Sequence, residues 1–401
     1  MRILIIADIS PYPLTSGDRI REYNLIRRVA DQHEVWLAVI LENPSDQEGI
    51  AHLSSFCAGV EYAYIQRHHP IYHIPGLLKY ALAGKPLELK FRHSAELAGK
   101  IKRMTQENHF DIVMIINSHT APYLEVIVTG NGSKNVMMLE NIEFAQYESL
   151  SRIEPRLVNK IRAWLNWRMM QRWEPNYLEK FDRSITVSVN DRDILSAANP
   201  ALKIDVIPNG VDVHQYKMLT NAEDAHSLLF IGKMSYTPCS DAAVYFYREI
   251  FPLIQKQHED TDLWIVGREP PQEVLDLNGK RVHVTGWVEE VVPYYQRSKV
   301  CVVPLRAGGG TRLKILEAMA LGRPVVATTI GCEGLDVTDG VNIMIADRPE
   351  EFAAKTLRLL DDAELYQTIA QNARRLVEEQ YDWDILADRL MKIFEEVHSC
   401  E

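Results

Sequence analysis

The chain has 401 residues, 46% hydrophobic and 25% charged, ordinary globular proportions at a length that suggests two or more domains. A net charge of −11 argues against a general nucleic-acid binder, and five scattered cysteines in no zinc or disulfide spacing point to a reducing, cytoplasmic setting. No window approaches the roughly 18 apolar residues of a membrane span, so the expectation is a soluble protein, at most peripheral at the inner face of a membrane.

The opening MRILIIADIS is too short in its apolar run for a signal-peptide core and reads as a buried strand, ILIIA (3–7). A loop, ISPYPLTSGD, and a helical pattern, RIREYNLIRRVA, come next. VWLAVI (35–40) and VEYAYI (60–65) are further strands. Residues 67–103 then carry eight Lys and Arg against Glu88 and Glu96, a local basic stretch able to meet an anionic lipid or phosphate. FDIVMIIN (110–117), NVMMLE (135–140), SITVS (184–188) and KIDVIPNG (203–210) continue the strand series. Between them KIRAWLNWRMMQRW (160–173) interleaves Arg and Trp, which suits either a membrane-surface helix or a helix packed under the first domain. Asp191 and Asp193 follow VSVN and open an apolar helix, so they read as helix-start carboxylates rather than a metal motif.

The pattern restarts after a break at Pro208, Asn209 and Gly210. SLLFIGKM, DLWIVG, VHVTGW, VCVVPL and PVVATT are strands separated by helix-length segments, and WDILADRLMKIFEEVHSC is an amphipathic final helix. Apolar strands alternating with helices argue parallel sheets covered on both faces, and two such series argue an α/β chain of two doubly wound, Rossmann-like domains. The expected division is 1–205, 206–380, and a last helix, 381–401, crossing back to the first domain. Neither restart carries GxGxxG, which weighs against a dehydrogenase.

The most informative segment is VCVVPLRAGGGTRLKILEAMALGRPVVAT (300–328). A strand feeds a turn of Gly308, Gly309 and Gly310; Thr311 caps a helix from about Arg312 to Leu321; Gly322 ends it and Pro324 begins the next strand. Such a turn offers backbone N–H groups and a positive helix end to a diphosphate. Lys314 and Glu317 share one helix face, while Leu313, Leu316 and Ala320 face inward. A carboxylate one turn down can accept both hydroxyls of a ribose.

With VIPNGVD (206–212), LLFIGKM (228–234) and GWVEEVVPYYQRSKVCVVPL (286–305), this segment makes the whole chain resemble the retaining glycosyltransferases of the B fold, in particular family 4. The resemblance implies two facing Rossmann-like domains. The C-terminal one would bind a nucleoside diphosphate sugar, UDP-glucose-like first and GDP-mannose next. The N-terminal one would take a lipid-linked or polysaccharide acceptor, with no nucleic-acid partner. No ligand cluster read from the sequence requires a metal, and no cofactor is expected beyond the nucleoside diphosphate sugar as substrate. Glu317 matches the second Glu of the family's Glu-x7-Glu motif; the first falls at Gly309, a departure for which the backbone of 309–313, including Arg312 and Leu313, is the substitute. Gly17 corresponds to the glycine that lets the N-terminal loop approach the donor phosphate. Lys233 stands where the family has a basic residue facing the diphosphate, and Pro238 takes the place of the second. Lys314, on the Glu317 face, is the residue expected to supply that missing charge, with Arg312 as the fallback. Val288 is expected to meet the base through its backbone. His119, or Ser118 beside it, falls at the reaction centre, and Glu140, Asn141 and Glu143 face the acceptor side. A sugar-nucleotide 2-epimerase of the same fold and a non-catalytic partner protein are the competing readings.

Overall fold

A computed structural model describes residues 1–42, 46–65, 85–86, 89, 92–128, 132–153, 157–219, 226–307 and 312–399. The chain forms two compact units: Met1–Pro208 with Leu386–Glu401, and Asn209–Ile385.

The first unit is built on a seven-stranded sheet. Its strands are β1 Arg2–Ala7, β2 Glu34–Leu41, β3 Gly59–Tyr64, β4 Ile112–Ile116, β5 Lys134–Leu139, β6 Arg183–Thr186 and β7 Ile204–Val206. Their order is 3-2-1-4-5-6-7, and every pairing is parallel. Residues 3–7 and 112–116 are buried throughout, which is why these strands read as unbroken apolar runs rather than alternating ones. The order reverses at β1 and β4, the topological switch point where doubly wound sheets gather polar residues at their C-terminal strand ends. Asp191 lies in the first turn of the helix Val189–Ala198; its backbone N–H donates to the Ser188 hydroxyl at 3.1 Å, and that hydroxyl donates to its carboxylate at 2.6 Å. That reciprocal bonding is a helix cap, as the sequence suggested.

The second unit repeats the plan with six parallel strands, β8 Ser227–Ile231, β9 Asp262–Val266, β10 Val282–Gly286, β11 Val300–Val303, β12 Val325–Ala327 and β13 Met344–Ile345, ordered 10-9-8-11-12-13. The two-residue edge strand β13 carries no periodic signal and escapes sequence reading. Gly267, at φ +155, shapes the site end of this sheet. A Cβ there would lie 1.6 Å from the Gly232 carbonyl oxygen, so only glycine lets the chain leaving β9 pass the chain leaving β8. Gly322, at φ +70, ends the helix Leu313–Ala320 as its sequence position implied. No described helix is long and apolar enough to cross a membrane.

Candidate active site

In the second unit the strand ends converge on the helix Leu313–Ala320. Gly308, Gly309, Gly310 and Thr311 lie outside the described residues, and Arg312 occupies the N-cap position without a side-chain cap bond. Ile315, Leu316, Ala318, Met319 and Ala320 are buried, whereas Leu313 is only partly so, a small departure from the expected inward trio of Leu313, Leu316 and Ala320. Lys314 and Glu317 do lie on one face. The Lys314 ammonium lies 3.7 Å from Cys239 Sγ and 5.0 Å from the centre of the Phe230 ring. A Cβ at Gly232 would come within 2.8 Å of it, so the helix face and the β8 exit are in contact. No carboxylate among the described residues lies within ion-pair distance of this ammonium, and burial lowers its pKa from the ordinary lysine value. Glu317 accepts a hydrogen bond from the Tyr295 hydroxyl at 3.2 Å. Burial pushes its carboxyl up to about 7, against the smaller opposing effects of Tyr295 and Lys314.

Lys233, just beyond β8, is exposed and close enough to Glu269 to help hold that carboxyl below its usual range, behind the larger effect of the Ser235 hydroxyl. Val288 packs its side chain against the core while the neighbouring Trp287 is 70% exposed. Arg312 is buried, and its guanidinium reaches the Ile330 carbonyl at 3.5 Å. Arg312 thus lies in a packed setting, and Lys314 lies on the Glu317 face.

The first unit gathers a second polar group at the ends of β1, β4 and β5. Asn117, left-handed at φ 68, donates its amide to Asp8 at 3.1 Å and to Glu140 at 3.4 Å, and accepts from the Glu140 N–H at 3.1 Å. Asn is among the few side chains that tolerate this conformation. His119 Nε2 lies 3.1 Å from Glu143 Oε1. Burial pulls the His119 pKa down, but the hydrogen bond and charge of Glu143, with help from Asp8, outweigh it and raise the imidazole above its ordinary value. Glu143 is therefore tied to His119. Ser118 is buried, and its hydroxyl donates to Glu174 at 2.5 Å. Of the two alternatives at 118–119, His119 keeps a ring nitrogen, Nδ1, without a hydrogen-bond partner. Glu140 is raised by burial to about 7, and Asn141 is half-buried beside it. Gly17 opens the helix Gly17–Ala30, with Ser16 at its N-cap.

Three residues in this unit escaped sequence reading. Glu174 accepts from Ser118 and from the N–H groups of Glu143 (3.3 Å) and Phe144 (3.0 Å), so a helix far along the chain caps the one that carries Glu143. Glu22 is fully buried with neither carboxyl oxygen bonded; burial, with Glu140 and Asp8 nearby, drives it well above the carboxylate range. Arg21 is buried and donates to the carbonyls of Ile207 and Pro208, both at 2.8 Å. Nothing in their spacing signals these contacts. Among the described residues one group able to hold a metal, His226, His258 and Asp260, lies at the opposite, N-terminal strand edge of the second sheet.

Two doubly wound parallel-sheet units, each with polar residues at its C-terminal strand ends, define the B fold of glycosyltransferases. Residues 22–215 match Glycosyltransferase Family 4 and residues 225–362 match Glycosyl transferases group 1, and the chain belongs to these glycosyltransferases. It is 22% identical over 398 residues to an uncharacterized 44.6 kDa protein in the cps region of Klebsiella pneumoniae, covering 95% of this chain and 96% of that one. Among solved structures, sucrose-phosphate synthase from Thermosynechococcus elongatus superposes with a TM-score of 0.72 at 18% identity, covering all of both chains. Anabaena HepE in complex with UDP-glucose gives 0.66 at 16% identity, covering 98% of this chain and 99% of that one.

Proposed function

We propose that this glycosyltransferase moves a hexosyl group from a nucleoside diphosphate sugar, UDP-glucose-like before GDP-mannose, to an acceptor hydroxyl with retention of anomeric configuration. The observation that carries the reading is the partly buried Lys314 ammonium, unpaired with any described carboxylate, on the helix face of Glu317. A cation held in that state gains more from an arriving diphosphate than one already neutralised by a neighbour. Stabilisation of the leaving diphosphate by this lysine, the helix N-terminus and Lys233 needs no metal. The UDP-glucose complex of HepE, a protein of the same fold, favours the donor class. In the first unit, His119, paired with Glu143, is the proposed reaction-centre group, and Glu140 and Asn141 are the proposed acceptor-side groups. The deciding experiment is incubation with UDP-glucose, then GDP-mannose, with and without acceptor, followed by product identification. A glycosylated acceptor formed together with UDP or GDP supports transfer; an altered sugar formed without acceptor supports epimerisation; no turnover of either donor supports a non-catalytic role.

Glu317→Ala is expected to weaken UDP binding by about 1.5–3 kcal/mol, the scale of hydrogen bonds to a charged group. Because the ionised carboxylate is the better ribose acceptor and its pKa stands at about 7, wild-type affinity should fall as pH drops through that value. The alanine variant should lose this dependence. Calorimetry at pH 6 and 8 measures both; equal affinity of variant and wild type removes Glu317 from the site.

The acceptor is proposed to be lipid-linked or a growing polysaccharide, reached from the surface of an anionic membrane. The basic stretch 67–103 falls largely outside the described residues. A second element supports membrane contact. The helix Leu157–Tyr177 buries Ala163, Asn166, Met170 and Glu174 on one face and exposes Leu157, Val158, Ile161, Trp164 and Leu165 on the other. Lys160, Arg162, Arg168 and Arg172 flank that stripe, and the helix's only acid, Glu174, is buried. The buried face accords with a helix packed under the first domain, and the exposed stripe supports the proposed membrane contact. Co-sedimentation with anionic vesicles is expected, reversed by salt and lost in Ile161→Asp/Trp164→Asp; equal recovery with neutral vesicles, or none with either, rejects it.

A further inference from the structure

At the N-terminal edge of the second sheet, away from the strand ends that carry Lys314 and Glu317, four side chains meet. His226 directly precedes β8, His258 and Asp260 lie in the turn before β9, and Asp361 ends the helix Pro349–Asp361. The ligand atoms of His226, His258 and Asp260 lie within 4.8 Å of one another. His226 Nδ1 is 2.9 Å from Asp260 Oδ2. The two rings stand 4.3 Å apart at 43°. Ligands bound about 2.0–2.2 Å from a tetrahedral zinc ion are about 3.3 Å apart, so the His226–Asp260 pair needs to open by only a few tenths of an ångström.

The second observation concerns His258. Its Nε2 lies 2.8 Å from Asp361 Oδ1, and an ionised carboxylate can only accept, so Nε2 carries the proton and Nδ1 keeps its lone pair. A carboxylate holding the far nitrogen of a histidine is the arrangement that orients metal-ligating imidazoles and raises their basicity. The backbone is equally fixed. The Thr261 N–H bonds to the His258 carbonyl at 3.1 Å, and the Asp262 N–H to the His226 carbonyl at 3.0 Å, tying both histidine segments together. Asp260 is exposed, which leaves an entry path and room for water as a remaining ligand.

We propose that His226, His258 and Asp260 bind one zinc ion, with Asp361 positioning His258. Two imidazole nitrogens and one carboxylate favour a borderline cation over calcium or magnesium. On binding, the ion takes the place of the proton between His226 Nδ1 and Asp260, and the neutral His226 ring then carries its proton on Nε2. The ion would staple the start of β8, the turn into β9 and, through Asp361, the end of a covering helix. The site is independent of donor chemistry. In sequence its ligands lie 32 and 34 positions from His226, in no recognised spacing, which is why they carried no metal signal there.

The test is calorimetric titration of tag-free, chelator-treated full-length protein with zinc chloride at pH 7.5, together with thermal unfolding. One saturable equivalent and a zinc-dependent rise in Tm are expected. Both should vanish in His226→Ala/His258→Ala. Asp361→Asn should weaken binding about 10- to 100-fold, the usual effect of removing such a partner. Circular dichroism confirms that the double variant is folded; should it fail to fold, Asp260→Asn, altered at an exposed side chain, carries the same comparison. No saturable equivalent in the wild type, or equal uptake and equal stabilisation in wild type and folded variant, overturns the proposal and leaves two surface His–Asp pairs.

Discussion

Lys314→Ala is expected to cut turnover of a UDP-sugar by about 100-fold or more, equivalent to about 3 kcal/mol of transition-state stabilisation. As the sugar bond breaks, negative charge accumulates on the leaving diphosphate, and a cation already in place stabilises it without reorganisation. The second basic position of the family is occupied by Pro238, and Lys233 is exposed to solvent, where its attraction is screened. Lys314 differs. It is partly buried against Phe230 and Cys239, beside the β8 exit at Gly232, on the same helix face as Glu317, the proposed ribose contact. Burial lowers its pKa in the free protein, and an arriving diphosphate opposes that shift. Because the interaction strengthens as the bond breaks, kcat should fall more than KM rises. Arg312→Ala should reduce turnover less and thermal stability more, since that guanidinium is buried against the Ile330 carbonyl. Wild-type turnover in Lys314→Ala with impaired turnover in a folded Arg312→Ala would move the charge two residues along the chain.

The fold was legible because both sheets are parallel and covered on both faces. Runs such as ILIIA and VCVV are then apolar at every position, and the turns between them hold glycine, proline and capping residues. Lys314 and Glu317 were legible as neighbours because helical spacing alone puts them on one face. The polar network of the first unit was not. Glu174 sits amid Trp and Arg, where nothing distinguishes it from a solvated charge, and its partners Ser118, Glu143 and Phe144 lie 56, 31 and 30 positions away. Only tertiary packing brings them together. The same holds for Asn117, whose amide joins three strand ends, and for Arg21, whose carbonyl partners are 186 and 187 positions distant. Local pattern reports which face a residue occupies; it does not report what stands opposite.

Glu174 is the residue of that network whose loss should be felt most. Glu174→Ala leaves a buried hydroxyl, Ser118, and two N–H groups at the start of the helix Glu143–Ile153 without an acceptor. Buried donors left unsatisfied cost about 1–3 kcal/mol each, so a loss of about 3 kcal/mol or more is expected. At roughly 2–4 °C per kcal/mol for a unit of this size, Tm should fall by about 6–12 °C. The helix start also positions Glu143 against His119, so turnover should fall with stability. The pH dependence separates this network from simple packing. Burial raises Glu174 from its ordinary value to about 7 in the folded protein. A carboxyl raised in this way contributes stability that is fully present below its unfolded pKa of about 4.3 and is lost as pH rises through about 7. Glu140 and Glu317 are raised to about 7 as well, so the whole protein shares the trend and only a difference isolates Glu174. Glu174→Gln keeps the shape and one acceptor but cannot ionise. Thermal unfolding of wild type and Glu174→Gln between pH 5 and 8 should therefore show the wild type losing stability relative to the variant as pH rises. Parallel curves would mean that Glu174 does not change protonation across this range, and that its hydrogen bonds rather than its burial set its charge.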